Sequence, residues 1–93
     1  MKSRILFLNE CKGGFVMNEN TDKVIGRNIR KLRLLKGLTQ ENLATQFQLN
    51  GCDITRSAVA KIEAGQRHIY VDEIILLQKI FNVSYEELLK CNI

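Results

Sequence analysis

The chain has 93 residues, of which 45% are hydrophobic and 26% charged, with no proline, no tryptophan and a formal net charge of 14 − 10 = +4. That length holds one small domain and not two. Three cysteines (Cys11, Cys52, Cys91) and one histidine (His68) form no C-x-x-C pair, no even disulfide set and no four-ligand zinc shell, which excludes a disulfide scaffold and a structural metal. The longest apolar runs, such as Ile5-Leu6-Phe7-Leu8 and Ile74-Ile75-Leu76-Leu77, fall far short of the roughly 20 residues a membrane helix needs, and no signal-peptide cleavage pattern follows the first of them. The expectation is a cytoplasmic protein with free thiols, no metal and no membrane partner.

Residues 1–21 carry an isolated apolar patch and a Gly13-Gly14 pair but no helical period, and read as a loose tail. Back-translated, Lys12-Gly13-Gly14 is compatible with a purine-rich ribosome-binding sequence, and Met17 follows as a natural start, so residues 1–16 are expected to be translated leader. The competing reading is an arm in which Ile5, Leu6, Phe7 and Leu8 pair with a second subunit. From Asp22 onward the pattern is helical. Ile25, Ile29 and Leu32, spaced by four and three, mark one face of a first helix that ends near Gly37, with Lys36 suited to the negative end of its dipole.

Leu38 is a core contact, and Thr39 is the N-cap of a second helix that buries Leu43, Ala44 and Phe47 and runs to about Gln48. Leu49-Asn50-Gly51-Cys52-Asp53 reads as a loop on its Asn-Gly turn dipeptide. Thr55 then caps a third helix with Val59 and Ile62 inward and Gly65 at its end. A fourth helix starts around Asp72 and Glu73, buries Ile74, Ile75, Leu77 and Phe81, and stops at Asn82. Ser84 and Glu87 form a capping box for a short fifth helix with Leu88 inside. Five helices with short links predict an all-α bundle over residues 22–90, with residues 91–93 as a tail and Val83 completing the core.

Charge is unevenly placed. Residues 23–67 carry nine Lys/Arg and three Asp/Glu, 9 − 3 = +6, whereas residues 68–93 carry two against four, 2 − 4 = −2. A basic half without a Lys-rich amphipathic helix and aromatic anchors points to nucleic acid before membrane. The order Ile29-Arg30-x-Leu32-Arg33, Gly37-Leu38-Thr39-Gln40, Leu43-Ala44, Ser57, Ile62-Glu63-x-Gly65 and Phe81-x-Val83-Ser84-x-x-x-Leu88-Leu89 resembles the Xre/Cro-like helix-turn-helix family of phage and bacterial repressors. The resemblance covers residues 25–89. It implies a five-helix, lambda-repressor-like DNA-binding domain in which helices two and three form the helix-turn-helix and helix three enters the major groove of double-stranded DNA, usually as a homodimer on a near-palindromic operator.

With Val59 and Ile62 inward, the third helix offers Arg56, Ser57, Ala60 and Lys61 outward. The resemblance assigns base contacts to Arg56, Ser57 and Lys61, the two basic side chains suiting guanine O6 and N7. It implies a phosphate contact for Gln40 and the amides at the start of helix two, with Thr39 as both cap and contact. Thr55, Gln66 and Arg67 are further phosphate candidates on the same edge, with a solvated loop charge as the alternative for Arg67. Arg33 and Glu63 are implied to be an internal salt bridge between helices one and three, with Arg30 and Lys31 facing solvent. One departure from the family pattern falls in residues 47–54, where this chain is about five residues longer than the common spacing, and a bulging loop is expected there.

The remaining conspicuous residues weigh less. Ala58 is either a thymine-methyl contact or packing filler. His68 has no carboxylate or second ligand beside it in sequence and reads as a surface histidine. Cys52 and Cys91 lack basic neighbours and are expected to be inert. Leu76, with Leu89, Cys91 and Ile93, forms a candidate apolar patch for dimerisation, with extra core packing as the alternative. No nucleophile and base pair, phosphate loop or metal set supports an enzyme or a cofactor. The second reading is a protein-interaction module, antitoxin-like or regulator-sequestering, docked near helix four; the basic residues of helix three favour DNA.

Overall fold

The computed structural model describes residues 20–90, which form five α-helices and no strand. The tail at residues 1–19 and the end at residues 91–93, including Cys91 and Ile93 of the suggested dimer patch, lie outside the described residues. Helix α1 spans Thr21–Leu35 and starts one residue before the expected boundary, because Asn20 supplies the cap: its side-chain oxygen accepts the Asp22 amide at 2.7 Å. Gly37 follows the helix at φ +72°, a left-handed turn that reverses the chain. Helix α2, Gln40–Leu49, is capped reciprocally, the Thr39 hydroxyl accepting from the Asn42 amide at 2.9 Å while Asn42 accepts from the Thr39 amide at 3.1 Å.

Helix α3, Arg56–Glu63, is capped by the Thr55 hydroxyl, which accepts the Ala58 amide at 3.1 Å. Helix α4 spans Val71–Phe81 and begins earlier than expected because the Glu73 carboxylate reaches back to accept the Tyr70 amide at 2.9 Å. It ends at Asn82, in the left-handed conformation at φ 55°. Helix α5, Tyr85–Leu89, is capped by Ser84, whose hydroxyl accepts the Glu87 amide at 3.2 Å.

The core joins all five helices: Ile29 and Leu32 of α1, Leu43 and Phe47 of α2, Val59 and Ile62 of α3, Leu77 and Phe81 of α4, and Leu88 of α5 are buried together. Four expected core members, Ile25, Leu38, Ile74 and Val83, pack against this cluster but stay partly exposed. Ile75 corrects the expectation for α4, being 40% exposed. The buried stripe of that helix follows Glu73, Leu77 and Phe81, spaced by four, which turns Ile75 outward. Leu76 is half-buried against the core and therefore belongs to packing, whereas Leu89 is exposed.

The extra residues before α3 do not bulge freely. Ile54 is 2% exposed and sits in the core, the Cys52 amide donates to the Phe47 carbonyl at 2.9 Å, and Gln48 Nε2 donates to the Ile54 carbonyl at 2.8 Å. An apolar plug and two long-reach bonds hold the start of α3 in place. The other side of α3 lies against α1 so closely that Gly26 has no room for a side chain. A Cβ there would stand 2.4 Å from the Ile62 carbonyl oxygen and 2.7 Å from that of Glu63. Buried Asn28, two residues on, donates from Nδ2 to the carbonyls of Leu88 at 2.8 Å and Lys90 at 2.9 Å, fastening the end of α5 to α1.

Candidate nucleic-acid interface

Helix α3 is two-faced. Val59, Ile62 and Glu63 are buried, Ala58 and Ala60 are half-buried, and Arg56, Ser57 and Lys61 are exposed. Ala58 packs against the core, which makes it filler. The exposed strip is a row of donors and small side chains on a helix of eight residues, about 12 Å long and therefore of a size to enter a major groove. Thr39, Thr55 and Gln66 are also exposed, and Arg30 and Lys31 face solvent. Thr39 and Thr55 both act as caps, so their hydroxyls accept from their own helices while the donor hydrogen stays available.

One buried carboxylate links this strip to the rest of the domain. Glu63, the last residue of α3, accepts from Arg33 Nε at 2.6 Å and from Arg33 Nη2 at 3.1 Å, a bidentate pair between α1 and α3. Arg33 Nη1 donates further to the Leu38 carbonyl at 2.8 Å, in the turn before α2. The third donor to Glu63 is Gln40, whose Nε2 lies 3.0 Å from Oε1. Removing either charged partner would leave the other buried and unpaired, which typically costs ~3 to 5 kcal/mol. Sequence spacing carries no sign of the Gln40 link, because residues 23 apart on two helices meet only through the tertiary fold.

Arg67, a candidate phosphate contact, is tied to groups within the domain. Its guanidinium is bidentate on Glu73 at 3.0 and 3.1 Å, donates to the His68 carbonyl at 3.0 Å and lies 5.5 Å from the centre of the Tyr70 ring. The hydrogen bond to Glu73 raises the Arg67 pKa above its ordinary value. These bonds hold the guanidinium at the start of α4 and engage most of its donors. His68 is the exposed histidine the sequence suggests, but it is not isolated: Nδ1 stands 2.7 Å from Asp22 Oδ2 at the start of α1. The two residues are far apart in sequence, and the loop after α3 brings them together. Cys52 is half-buried, and burial, foremost, with the nearby Glu73 and Asp72 charges, pushes its thiol pKa up, the opposite of an activated nucleophile. Among the described residues no cluster of three metal-ligating side chains occurs, and no helix is long and apolar enough to cross a membrane.

A short helix held by its apolar face, capped at its start, and preceded by a second helix whose N-terminus packs beside its last turn defines a helix-turn-helix protein. The helix-turn-helix family model matches residues 29–88, and the chain belongs to that Xre/Cro-like family of DNA-binding regulators. It is similar to the control protein C.BamHI of Bacillus amyloliquefaciens, with 32% identity over 74 residues that cover 78% of this chain and 85% of the relative. Among solved structures it resembles the restriction-modification controller protein C.AhdI of Aeromonas hydrophila, with 36% identity, a TM-score of 0.59 and coverage of 72% of this chain and 94% of the other. It also resembles the hypothetical transcription factor NHTF from Neisseria, with 30% identity, a TM-score of 0.65 and coverage of 76% of both chains. Family membership, rather than the lack of any one feature, makes this a DNA-binding regulator and not an enzyme.

Proposed function

We propose that the chain is a sequence-specific, double-stranded DNA-binding repressor that acts as a homodimer on a near-palindromic operator and blocks a promoter by occupying it. The observation that carries this reading is the exposed strip of α3, Arg56, Ser57 and Lys61, over a buried face of Val59 and Ile62. Arg56 and Lys61 read guanine edges in the major groove, and Ser57 contacts a neighbouring base. Thr39, Thr55 and Gln66 anchor the flanking phosphates, together with the amides at the start of α2; Gln40 and Arg67 join them only through the donors their bonds to Glu63 and Glu73 leave over. Residues 22–90 are the DNA-binding unit, working in the cytoplasm. Similarity to C.BamHI and C.AhdI supports restriction-modification genes as the target.

The exposed apolar side chains of the last two helices, Val71 at 73%, Ile75 at 40%, Tyr85 at 45% and Leu89 at 42%, support a second copy as the partner. They also mark where a different protein would dock if the chain were an antitoxin-like interaction module. Selection of duplexes from a randomised pool by the purified full chain at near-physiological salt tests the reading. A two-fold-related, guanine-containing consensus with half-sites about one helical turn apart is expected. Lys61→Ala should then cost about 1 to 3 kcal/mol and relax preference at one position. Enrichment of no sequence by the folded chain would refute sequence-specific binding and move the search to a protein partner.

A further inference from the structure

Gln40 is the first residue of α2, half-buried between exposed Thr39 and Glu41, and its amide is tied inward to Glu63 Oε1 at 3.0 Å. The same carboxylate, in a residue 8% exposed, holds both nitrogens of the Arg33 fork. We propose that Gln40 is a positioning residue for DNA recognition: a strut from the start of α2 to the end of α3 that sets the relative placement of the two helices of the helix-turn-helix. This rests on the reading of the chain as a sequence-specific DNA binder.

The rest of the contact between α2 and α3 is apolar, Leu43 and Phe47 against Val59 and Ile62, and apolar contact is non-directional. It resists separation of the helices better than it resists their sliding. A hydrogen bond to a buried carboxylate is charge-assisted and directional, and Gln40 provides the one such bond that runs directly between α2 and α3 among the described residues. Its lever is long. A shift of about 1 Å at one end of a helix about 12 Å long turns it by roughly 5°, and side chains that project from the far end move further. Base readout through paired donors tolerates only about 0.5 Å of misplacement, so loss of the strut should degrade recognition more than it degrades folding.

A phosphate contact and a strut predict different losses. Phosphate contacts carry no sequence information, so losing one weakens every duplex alike, whereas a misaligned α3 loses its preferred sequence and keeps its general affinity. Gln40→Met has similar length and helix propensity but cannot donate to Glu63. Its affinity is measured, in the full chain, for the duplex selected from a random pool and for an unrelated duplex of equal length, across a salt series. The expected result is a drop of about tenfold in the ratio of specific to non-specific affinity with the salt slope unchanged. Gln40→Asn, which keeps an amide at the helix start but falls one methylene short of Glu63, should lose the ratio too, and it carries the test if the methionine variant does not fold. Equal loss on both duplexes, or no loss, would overturn the strut while leaving sequence-specific binding intact. Selection of no consensus by the wild-type chain would overturn both together.

Discussion

Replacing Gly26 by alanine probes how α3 is held. The added Cβ would meet the Ile62 carbonyl oxygen at 2.4 Å, the Glu63 carbonyl oxygen at 2.7 Å and the Glu63 carbonyl carbon at 3.0 Å, all of them backbone. No side chain can rotate away, so relief to an ordinary contact of 3.4 Å requires α1 and α3 to part by 3.4 − 2.4 = 1.0 Å. Overpacking of this kind costs typically about 1 to 3 kcal/mol, and the backbone contact places Gly26→Ala toward the upper end. Alanine returns roughly 0.5 to 1 kcal/mol through its better helix propensity. The net expectation is a destabilisation of about 1 to 2 kcal/mol, a fall in Tm of the order of 5 to 15 °C for a domain this small.

Thermal melts followed by circular dichroism, with urea titrations beside them, read the effect. Gly37→Ala serves as the contrast, because its Cβ would meet nothing within 4 Å and its cost comes only from φ +72°. Both variants should melt lower, but only Gly26→Ala should also lower the ratio of specific to non-specific DNA affinity, since it alone moves α3. A Gly26→Ala protein that melts at or above the wild-type temperature would refute the close-approach reasoning.

Arg33→Ala should destabilise by ~3 to 5 kcal/mol, because Glu63 keeps only Gln40 as a side-chain partner; an unchanged urea midpoint would show that the carboxylate finds solvent instead. Ile54→Ala should cost about 2 to 5 kcal/mol, as expected for a plug 2% exposed, whereas a loss within 0.5 kcal/mol, roughly the scatter of surface substitutions, would return this residue to the loop. Cys52 should react with iodoacetamide more slowly in the folded chain than in urea near pH 8, measured on a chain carrying Cys11→Ser and Cys91→Ser. Its folded pKa is raised, so its contribution to stability is full below the unfolded thiol pKa and is lost as pH climbs through the folded one; equal alkylation rates would contradict the burial that raises it.

The order of helices was legible because their boundaries are chemical and local. Thr39, Thr55 and Ser84 cap the next backbone amides, and Gly37 and Gly65 adopt left-handed turns, at φ +72° and +76°, that follow α1 and α3. The face of α3 was legible for the same reason: once Val59 and Ile62 are inward, helical geometry leaves Arg56, Ser57 and Lys61 outside. Ile75 was misassigned because four consecutive apolar residues in α4 give no periodic contrast, and only the position of the neighbouring helices chooses which of them is covered. Ile54 was missed because a single apolar residue in a turn has no period.

What the chain's own order of residues determined, then, is most of what acts within about four positions: the caps at Thr39, Thr55 and Ser84, the glycine turns, the face of α3, and the uneven charge that points to a polyanion. The equally local caps made by Asn20 and Glu73 emerged only in the folded chain. Which distant groups meet was decided by the tertiary structure. Gly26 against the Ile62 carbonyl, Gln40 on Glu63, Asp22 beside His68 and Asn28 under the end of α5 each join segments 23 or more residues apart. Such contacts leave no trace in spacing, because their geometry is fixed by how whole helices pack. The candidate readers of DNA can thus be named from the sequence, while the framework that aims them exists only in the folded chain.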